Sequence, residues 1–68
     1  MKEKIGKTAG RIWETLRKKQ EVNVSQLPRT IKEKSGVTYQ ALGWLAREDK
    51  INYHEKGSRT FVSLTDLE

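Results

Sequence analysis

One short segment in the second half of the chain contains side chains that can recognise nucleic acid. Gln40 can hydrogen-bond an adenine at two positions, and Arg47 can bond a guanine or a phosphate oxygen. Tyr39 can pack on a thymine methyl group or on the DNA backbone. A helix that presented these residues to a major groove would read sequence with them. The alternative is that Gln40 and Arg47 are ordinary exposed helix residues and that Tyr39 is partly buried.

Basic residues on either side of this segment can contact phosphates. Lys56 and Arg59 enclose a tight turn that contains Gly57, and Lys34 precedes the helix. Thr38 is the expected N-cap, where unpaired backbone N–H groups can bind a phosphate. The alternative for Lys56 and Arg59 is that they are solvated turn residues. The predicted DNA contacts are therefore Thr38, Tyr39, Gln40, Arg47, Lys56, Arg59 and Lys34.

The chain lacks the residues that most catalytic and metal sites need. It has no cysteine, which excludes thiol nucleophiles and thiolate metal sites, and its only histidine is His54. Glu48 and Asp49 are adjacent at a helix end, where we expect them to be solvated. Gly6-x-x-x-Gly10 lies within a predicted helix and is no phosphate-binding loop. We therefore expect no enzyme activity, no metal and no cofactor.

Alternating polarity and helical periodicity predict the elements that would position these residues. Apolar residues recur at helical spacing from Ile5 to Leu16, with Trp13 expected in the core. Ser25 is the expected cap of a second helix, and Ser35-Gly36 its expected end, with Gly36 left-handed. The predicted elements are a helix at about 3–19, a strand at 21–24, helices at about 25–34 and 38–48, and a hairpin at 51–64.

This order of elements indicates a single α+β domain over residues 1–68. Two short helices joined by a tight turn and followed by a hairpin form a winged helix-turn-helix, in which the hairpin is the wing. The strand after the first helix is expected to pair with the wing. The fold class is thus three helices, a short strand after the first of them and a C-terminal β-hairpin.

Four residues are candidates for an interface with another chain. Gly6 and Gly10 each cost about 1 kcal/mol relative to alanine within a helix, so we expect them to allow a close approach of backbone. That backbone would belong either to a strand of this chain or to a second subunit. Gly43 and Trp44 lie side by side on the third helix, where Trp44 could be buried in a dimer. A homodimer is therefore a candidate assembly.

The distribution of charge conflicts with the order of elements. The net charge is +5, which favours an anionic partner. Residues 1–20 carry +5, residues 21–37 carry +1, and residues 38–68, which hold the presumed reading helix and wing, carry −1. No apolar run is long enough to cross a membrane, and no signal peptide is evident, so a cytoplasmic location is expected.

Two stretches of the chain resemble a known family. These are Ile5-Gly-Lys-Thr-Ala-Gly-Arg-Ile-Trp13 and Ala41-Leu-Gly-Trp-Leu-Ala-Arg-Glu48, the latter followed by Lys50-Ile51 and a short wing. They are similar to a small stand-alone winged helix-turn-helix family of bacteria and archaea that is catalogued as a domain of unknown function. The resemblance implies a helix-helix-helix-hairpin fold and nucleic-acid binding by analogy of fold. It implies no particular target and no functional residue.

Three functions remain open from the sequence. The first is a DNA-binding transcriptional regulator that uses the helix at 38–48 and the wing. The second is a protein-interaction or dimerisation module that kept the fold without DNA binding, which the charge of −1 favours. The third is RNA or structure-specific binding through a basic stripe on the first helix, formed by Lys4, Lys7, Arg11 and Lys18.

Overall fold

The computed structural model describes residues 2–65; residue 1 and residues 66–68 of the predicted domain lie outside this range. The elements follow the order predicted from the sequence. They are α1 (Lys2–Lys19), β1 (Glu21–Asn23), a 3₁₀ turn (Val24–Gln26), α2 (Leu27–Ile31), α3 (Ser35–Arg47), β2 (Ile51–Lys56) and β3 (Arg59–Leu64). The α+β winged helix-turn-helix fold is confirmed.

The second helix is much shorter than predicted. The side chain of Asn23, not that of Ser25, accepts the hydrogen bond that starts the segment, from the Ser25 N–H at 2.9 Å. The chain then makes one 3₁₀ turn before α2 begins at Leu27. Lys32 ends α2 in the left-handed conformation, with φ of 59°. The expected left-handed stop at Gly36 is therefore wrong.

The third helix begins three residues earlier than predicted, at Ser35. Gly36 lies in its first turn, and the backbone carbonyl of Lys34 accepts the first helical hydrogen bond from the Thr38 N–H at 3.0 Å. The helix ends at Arg47, one residue before the predicted end. Asp49, with φ of 59°, then turns the chain towards the wing.

The sheet has the strand order β1-β3-β2, and both pairs are antiparallel. Val62 in the middle of β3 pairs with Val22 on one side and with Tyr53 on the other. The predicted pairing of the first strand with the wing is therefore confirmed. Gly57 has φ of 65° in the turn between β2 and β3, as predicted, and this conformation strains residues that have a Cβ atom.

The core lies between α1, the helix-turn-helix and one face of the sheet. The side chains of α1 that are buried there are spaced by three and four residues, as expected for one helix face. Among the described residues, no helix is long and apolar enough to cross a membrane. The core residues are Ala9, Ile12, Leu16, Val22, Leu27, Ile31, Ala41, Leu42, Leu45, Ile51, Val62 and Leu64.

Trp13 does not belong to this core, contrary to the prediction. Its side chain is 37% exposed, whereas the neighbouring Ile12 is fully buried. Consecutive residues of a helix point about 100° apart, so Trp13 lies at the edge of the apolar stripe. There the guanidinium of Arg17 lies 5.5 Å from the centre of its ring.

Candidate nucleic-acid interface

The outward face of α3 carries few long side chains and is flanked by aromatic residues. Thr38, Ala41, Leu42 and Leu45 are buried against the core, so Gly36, Gln40, Gly43 and Arg47 form the opposite, exposed side. Aromatic residues flank this side, because Tyr39 is 46% and Trp44 is 47% exposed. The helix therefore presents two polar side chains between two aromatic walls.

Thr38 is not available to a nucleic acid. Its side chain is fully buried, and its hydroxyl donates a hydrogen bond to the Lys34 carbonyl at 2.8 Å. The prediction that Thr38 caps the helix is wrong because α3 begins three residues earlier, which places Thr38 on the core side. Lys34 is the N-cap residue instead, and it is exposed.

A polar groove joins α3 to the wing. Tyr39 from α3 and Arg59 from the wing both line it, and its volume is about 260 Å³. Ser25 from the 3₁₀ turn lies on the same wall, where its hydroxyl donates a hydrogen bond to Asn23 Oδ1 at 2.8 Å. The fold thus brings together two predicted DNA contacts that are distant in sequence, with hydroxyl groups beside them.

Lys56, at the end of β2 beside the wing tip, is engaged in contacts within the fold. Its ammonium group lies 2.7 Å from Glu21 Oε1 and 5.2 Å from the centre of the Phe61 ring. The ion pair holds the side chain along the outer face of the sheet and offsets its charge. Arg59 has no carboxylate within ion-pair distance among the described residues, so it is the stronger candidate for a phosphate contact.

Arg47 lies beside a different groove. This groove is mostly apolar, has a volume of about 500 Å³ and runs between α3 and the first half of α1. Ile5, Gly6 and Trp44 complete its lining. Two of the predicted interface residues, Gly6 and Trp44, therefore lie together, whereas Gly43 lies on the neighbouring outward side of α3.

Neither Gly6 nor Gly10 is required by packing within the chain. A Cβ atom added at either position would meet no atom within 4 Å. Of the two alternatives for these glycines, the approach of a strand of this chain is therefore excluded. A role for them in contact with a second subunit stays a prediction.

Glu33 is an important residue that the sequence did not single out. Its carboxylate accepts a hydrogen bond from the Lys34 N–H at 2.9 Å, and it lies 3.4 Å from Lys4 Nζ and 3.7 Å from Arg11 Nη1. The Lys34 N–H lowers the pKa of Glu33 most, and Lys4 and Arg11 lower it further against partial desolvation. Arg11 also donates a hydrogen bond to the Ile31 carbonyl. Two cations of the predicted basic stripe are thus engaged within the fold.

The aromatic residues do not form one stacking surface. Tyr53 pairs with Val62 and His54 pairs with Phe61, so Tyr53 and Phe61 lie on opposite faces of the sheet. Tyr39 belongs to a different element, α3. His54 Nε2 makes a hydrogen bond of 2.7 Å with Ser63 Oγ. Within residues 2–65, no three metal-ligating side chains come together.

A comparison with protein families and known proteins gives consistent results. A family model described as a winged helix-turn-helix domain (DUF2582) matches residues 1–64. Uncharacterized protein MJ1608 of Methanocaldococcus jannaschii is 43% identical, over 71% of this chain and 71% of that protein.

Two solved structures share the fold. The solution NMR structure of protein BT2368 from Bacteroides thetaiotaomicron has a TM-score of 0.81 and 28% identity, covering 93% of this chain and 77% of that one. Reduced HlyU from Vibrio cholerae has a TM-score of 0.61 and 21% identity, covering 96% of this chain and 80% of that one. The likeness to HlyU shows the fold alone.

Proposed function

We propose that this chain, which belongs to the winged helix-turn-helix family DUF2582, binds duplex DNA as a small transcriptional regulator. In this proposal α3 enters the major groove and the wing contacts the adjacent backbone. The protein acts by binding and not by catalysis, and its place of action is the cytoplasm, where the DNA is. Gln40 and Arg47 face the bases, and Lys34 and Arg59 contact phosphates.

One observation carries this proposal. Tyr39 of α3 and Arg59 of the wing line a single polar groove, with the Ser25 hydroxyl beside them. A duplex whose major groove holds α3 would place a backbone strand along such a groove, because the wing lies next to the helix. The Arg59 guanidinium and the Tyr39 hydroxyl suit phosphate oxygens, which accept hydrogen bonds.

The function of DNA binding can be tested by an amide NMR titration with a mixed-sequence duplex at low and moderate salt. We expect salt-sensitive shifts at Tyr39, Gln40, Gly43 and Arg59, because phosphate contacts release counterions. Shifts confined to α1, around Lys7 and Lys18, would contradict this docking and support binding of RNA or structured nucleic acid by the basic stripe.

Sequence reading can be tested once a binding site has been selected from random duplexes. Gln40→Ala should then cost about 1–3 kcal/mol at one base pair of the selected site. Its affinity for unrelated duplexes should change little, since the substitution removes no phosphate contact. Equal losses on all sequences would show that Gln40 does not read a base.

The groove beside Trp44 supports a second candidate, a protein-interaction module. Trp44 is 47% exposed and forms one wall of an apolar groove with Ile5 and Gly6. Large apolar side chains that are grouped on a surface mark interaction sites more often than scattered ones do. If no duplex shifts any amide at low salt, this candidate replaces DNA binding. Homodimerisation, which is compatible with either function, is argued separately below.

A further inference from the structure

The solvent side of α1 has an unusual composition for an exposed helix face. It combines two glycines, a tryptophan and charges of both signs, and all of its residues are exposed. The packing of this chain explains neither glycine, because a Cβ atom at Gly6 or Gly10 would have no neighbour within 4 Å. The residues on this side are Glu3, Gly6, Lys7, Gly10, Trp13, Glu14 and Arg17.

We propose that this face binds a second copy of the chain, with the two α1 helices antiparallel and a two-fold axis passing close to Gly10. In such a pair, residues at nearly equal distances on either side of Gly10 lie at the same level, because the axis reverses the direction of the helix. The axis keeps the sideways offset, so a residue faces one that lies on the same side of the line through Gly10. The two copies of Gly10 meet at the axis, where the absence of side chains permits close approach.

The charges of the face are complementary under this symmetry. Glu3 and Arg17 lie seven positions on either side of Gly10, so the carboxylate of each copy faces the guanidinium of the other. Lys7 and Glu14 lie on the same side of the face, three positions before and four positions after Gly10, which brings the ammonium group of one copy against the carboxylate of the other. The symmetry produces each of these attractive pairs twice.

The shape of the face is complementary as well. Gly6 and Trp13 lie on the other side of the face, four positions before and three positions after Gly10, so the glycine of one copy leaves room for the indole ring of the other. The apolar groove of about 500 Å³ lies beside Gly6, and Ile5 and Trp44 form part of its lining. Trp13 of the second copy would fall over Gly6, at the rim of this groove. The protruding side chain and the groove thus belong to the same surface, as a self-complementary interface requires.

A second copy is the favoured occupant because the charged, small and large residues of this face match one another when they are related by a two-fold axis at Gly10. A partner of different sequence would have no reason to find its charges matched around Gly10. None of the residues on this face lines the polar groove between α3 and the wing, so the dimer does not depend on DNA binding.

The decisive experiment is a charge exchange measured by sedimentation equilibrium. Glu3→Arg alone and Arg17→Glu alone should each weaken dimerisation by about tenfold, since each converts two attractive rim pairs into repulsive ones. The double variant should recover most of the affinity. Glu3 and Arg17 of one chain are roughly 21 Å apart along the helix, so recovery can arise only between copies.

Gly10→Leu provides an independent test. The monomer accommodates the side chain, since no atom lies within 4 Å of the added Cβ, but the two helices can no longer meet. We expect at least a tenfold loss of dimer affinity without a loss of thermal stability at low concentration. Gly43→Leu is the matched control, because Gly43 is an equally open helix glycine on α3.

Three results would overturn the proposal. The first is a wild-type protein that stays monomeric at about 1 mM, where even a dissociation constant in that range would give dimer. The second is a double charge variant that dimerises no better than the single variants. The third is a dimer that is lost in Gly43→Leu but kept in Gly10→Leu. The last result would place the interface on α3. A failure of duplex binding in the NMR titration would leave all of these measurements unaffected.

Discussion

Helix α1 and the surface formed by α3 and the wing both differ from what their net charges suggest, in opposite directions. Residues 1–20 carry +5, yet Lys4 and Arg11 lie beside Glu33 and serve to attach α1 to the segment between α2 and α3. Residues 38–68 carry −1, yet Arg59 makes no ion pair among the described residues and lies on the groove that joins α3 to the wing. The two surfaces therefore differ more in which of their cations are paired within the fold than in their net charge.

The difference shows why charge counted by segment misleads in a small domain. Ion pairs form between elements that are distant in sequence, such as Lys56 with Glu21 or Arg11 with Glu33. A cation engaged in this way contributes less to an external partner, because the partner must compete with its carboxylate. The available charge is a property of the fold and has to be assigned residue by residue.

The largest expected effect concerns the two basic residues at the wing tip. Arg59→Ala should weaken duplex binding by about 1.5–3 kcal/mol, the range for a hydrogen bond to a charged group. It should also lower the slope of affinity against salt by about one ion. Lys56→Ala should have a smaller effect on both quantities, because Glu21 already pairs with Lys56 at 2.7 Å. Fluorescence anisotropy with a labelled duplex measures both.

Glu21→Gln is the control that sharpens this comparison. It removes the carboxylate that holds Lys56 on the sheet, so it should raise duplex affinity, and Lys56→Ala should then cost more than it does in the wild type. If Lys56→Ala weakens binding as strongly as Arg59→Ala in the wild-type background, the ion pair does not limit Lys56, and both wing-tip cations are equally available to DNA.

A smaller effect is expected at Thr38, which the sequence assigned to DNA contact. Thr38→Val removes the buried hydroxyl that donates to the Lys34 carbonyl at 2.8 Å and keeps the shape of the side chain. The free energy of unfolding should fall by about 1 kcal/mol, the usual net value of such a hydrogen bond. Urea denaturation measures it.

Thr30→Val is the matched control for Thr38→Val. Thr30 makes the same kind of bond, to the Gln26 carbonyl at 3.0 Å, but it is exposed, so water can replace the bond and the loss should be smaller. Intact duplex affinity in folded Thr38→Val would agree with its burial. A specific loss of affinity with unchanged stability would return Thr38 to the interface.

The sequence predicted the fold well because periodicity, turn glycines and strand alternation are local signals. It placed Tyr39, Gln40 and Arg47 on one helix and Arg59 at the wing for the same reason. It failed at Thr38 because an Asx cap at Asn23 and a left-handed Lys32 moved the helix boundaries. It failed to recognise the role of Glu33 because that role depends on α1 lying beside the turn after α2.

The smallest expected effect, and the most specific one, is that of Glu33 on the pH dependence of the free energy of unfolding. Its lowered pKa means that the folded state binds the Glu33 proton less readily than the unfolded chain does. The stabilisation by Lys34, Lys4 and Arg11 is therefore fully present above the ordinary value of 4.5 and is lost as the pH falls through the lower pKa of the folded state.

Glu33→Gln should remove this pH dependence while keeping an oxygen that accepts from the Lys34 N–H. Urea denaturation between about pH 3 and pH 7 should thus give a flatter profile for the variant, with a small loss of stability at neutral pH. Glu55→Gln is the control, since Glu55 is exposed on β2 and has no ion pair among the described residues. A Glu33→Gln profile parallel to that of the wild type would mean that the ion pairs of Glu33 add nothing to the attachment of α1. Lys4 would then be available to an external anion, and the contrast between the two surfaces would weaken.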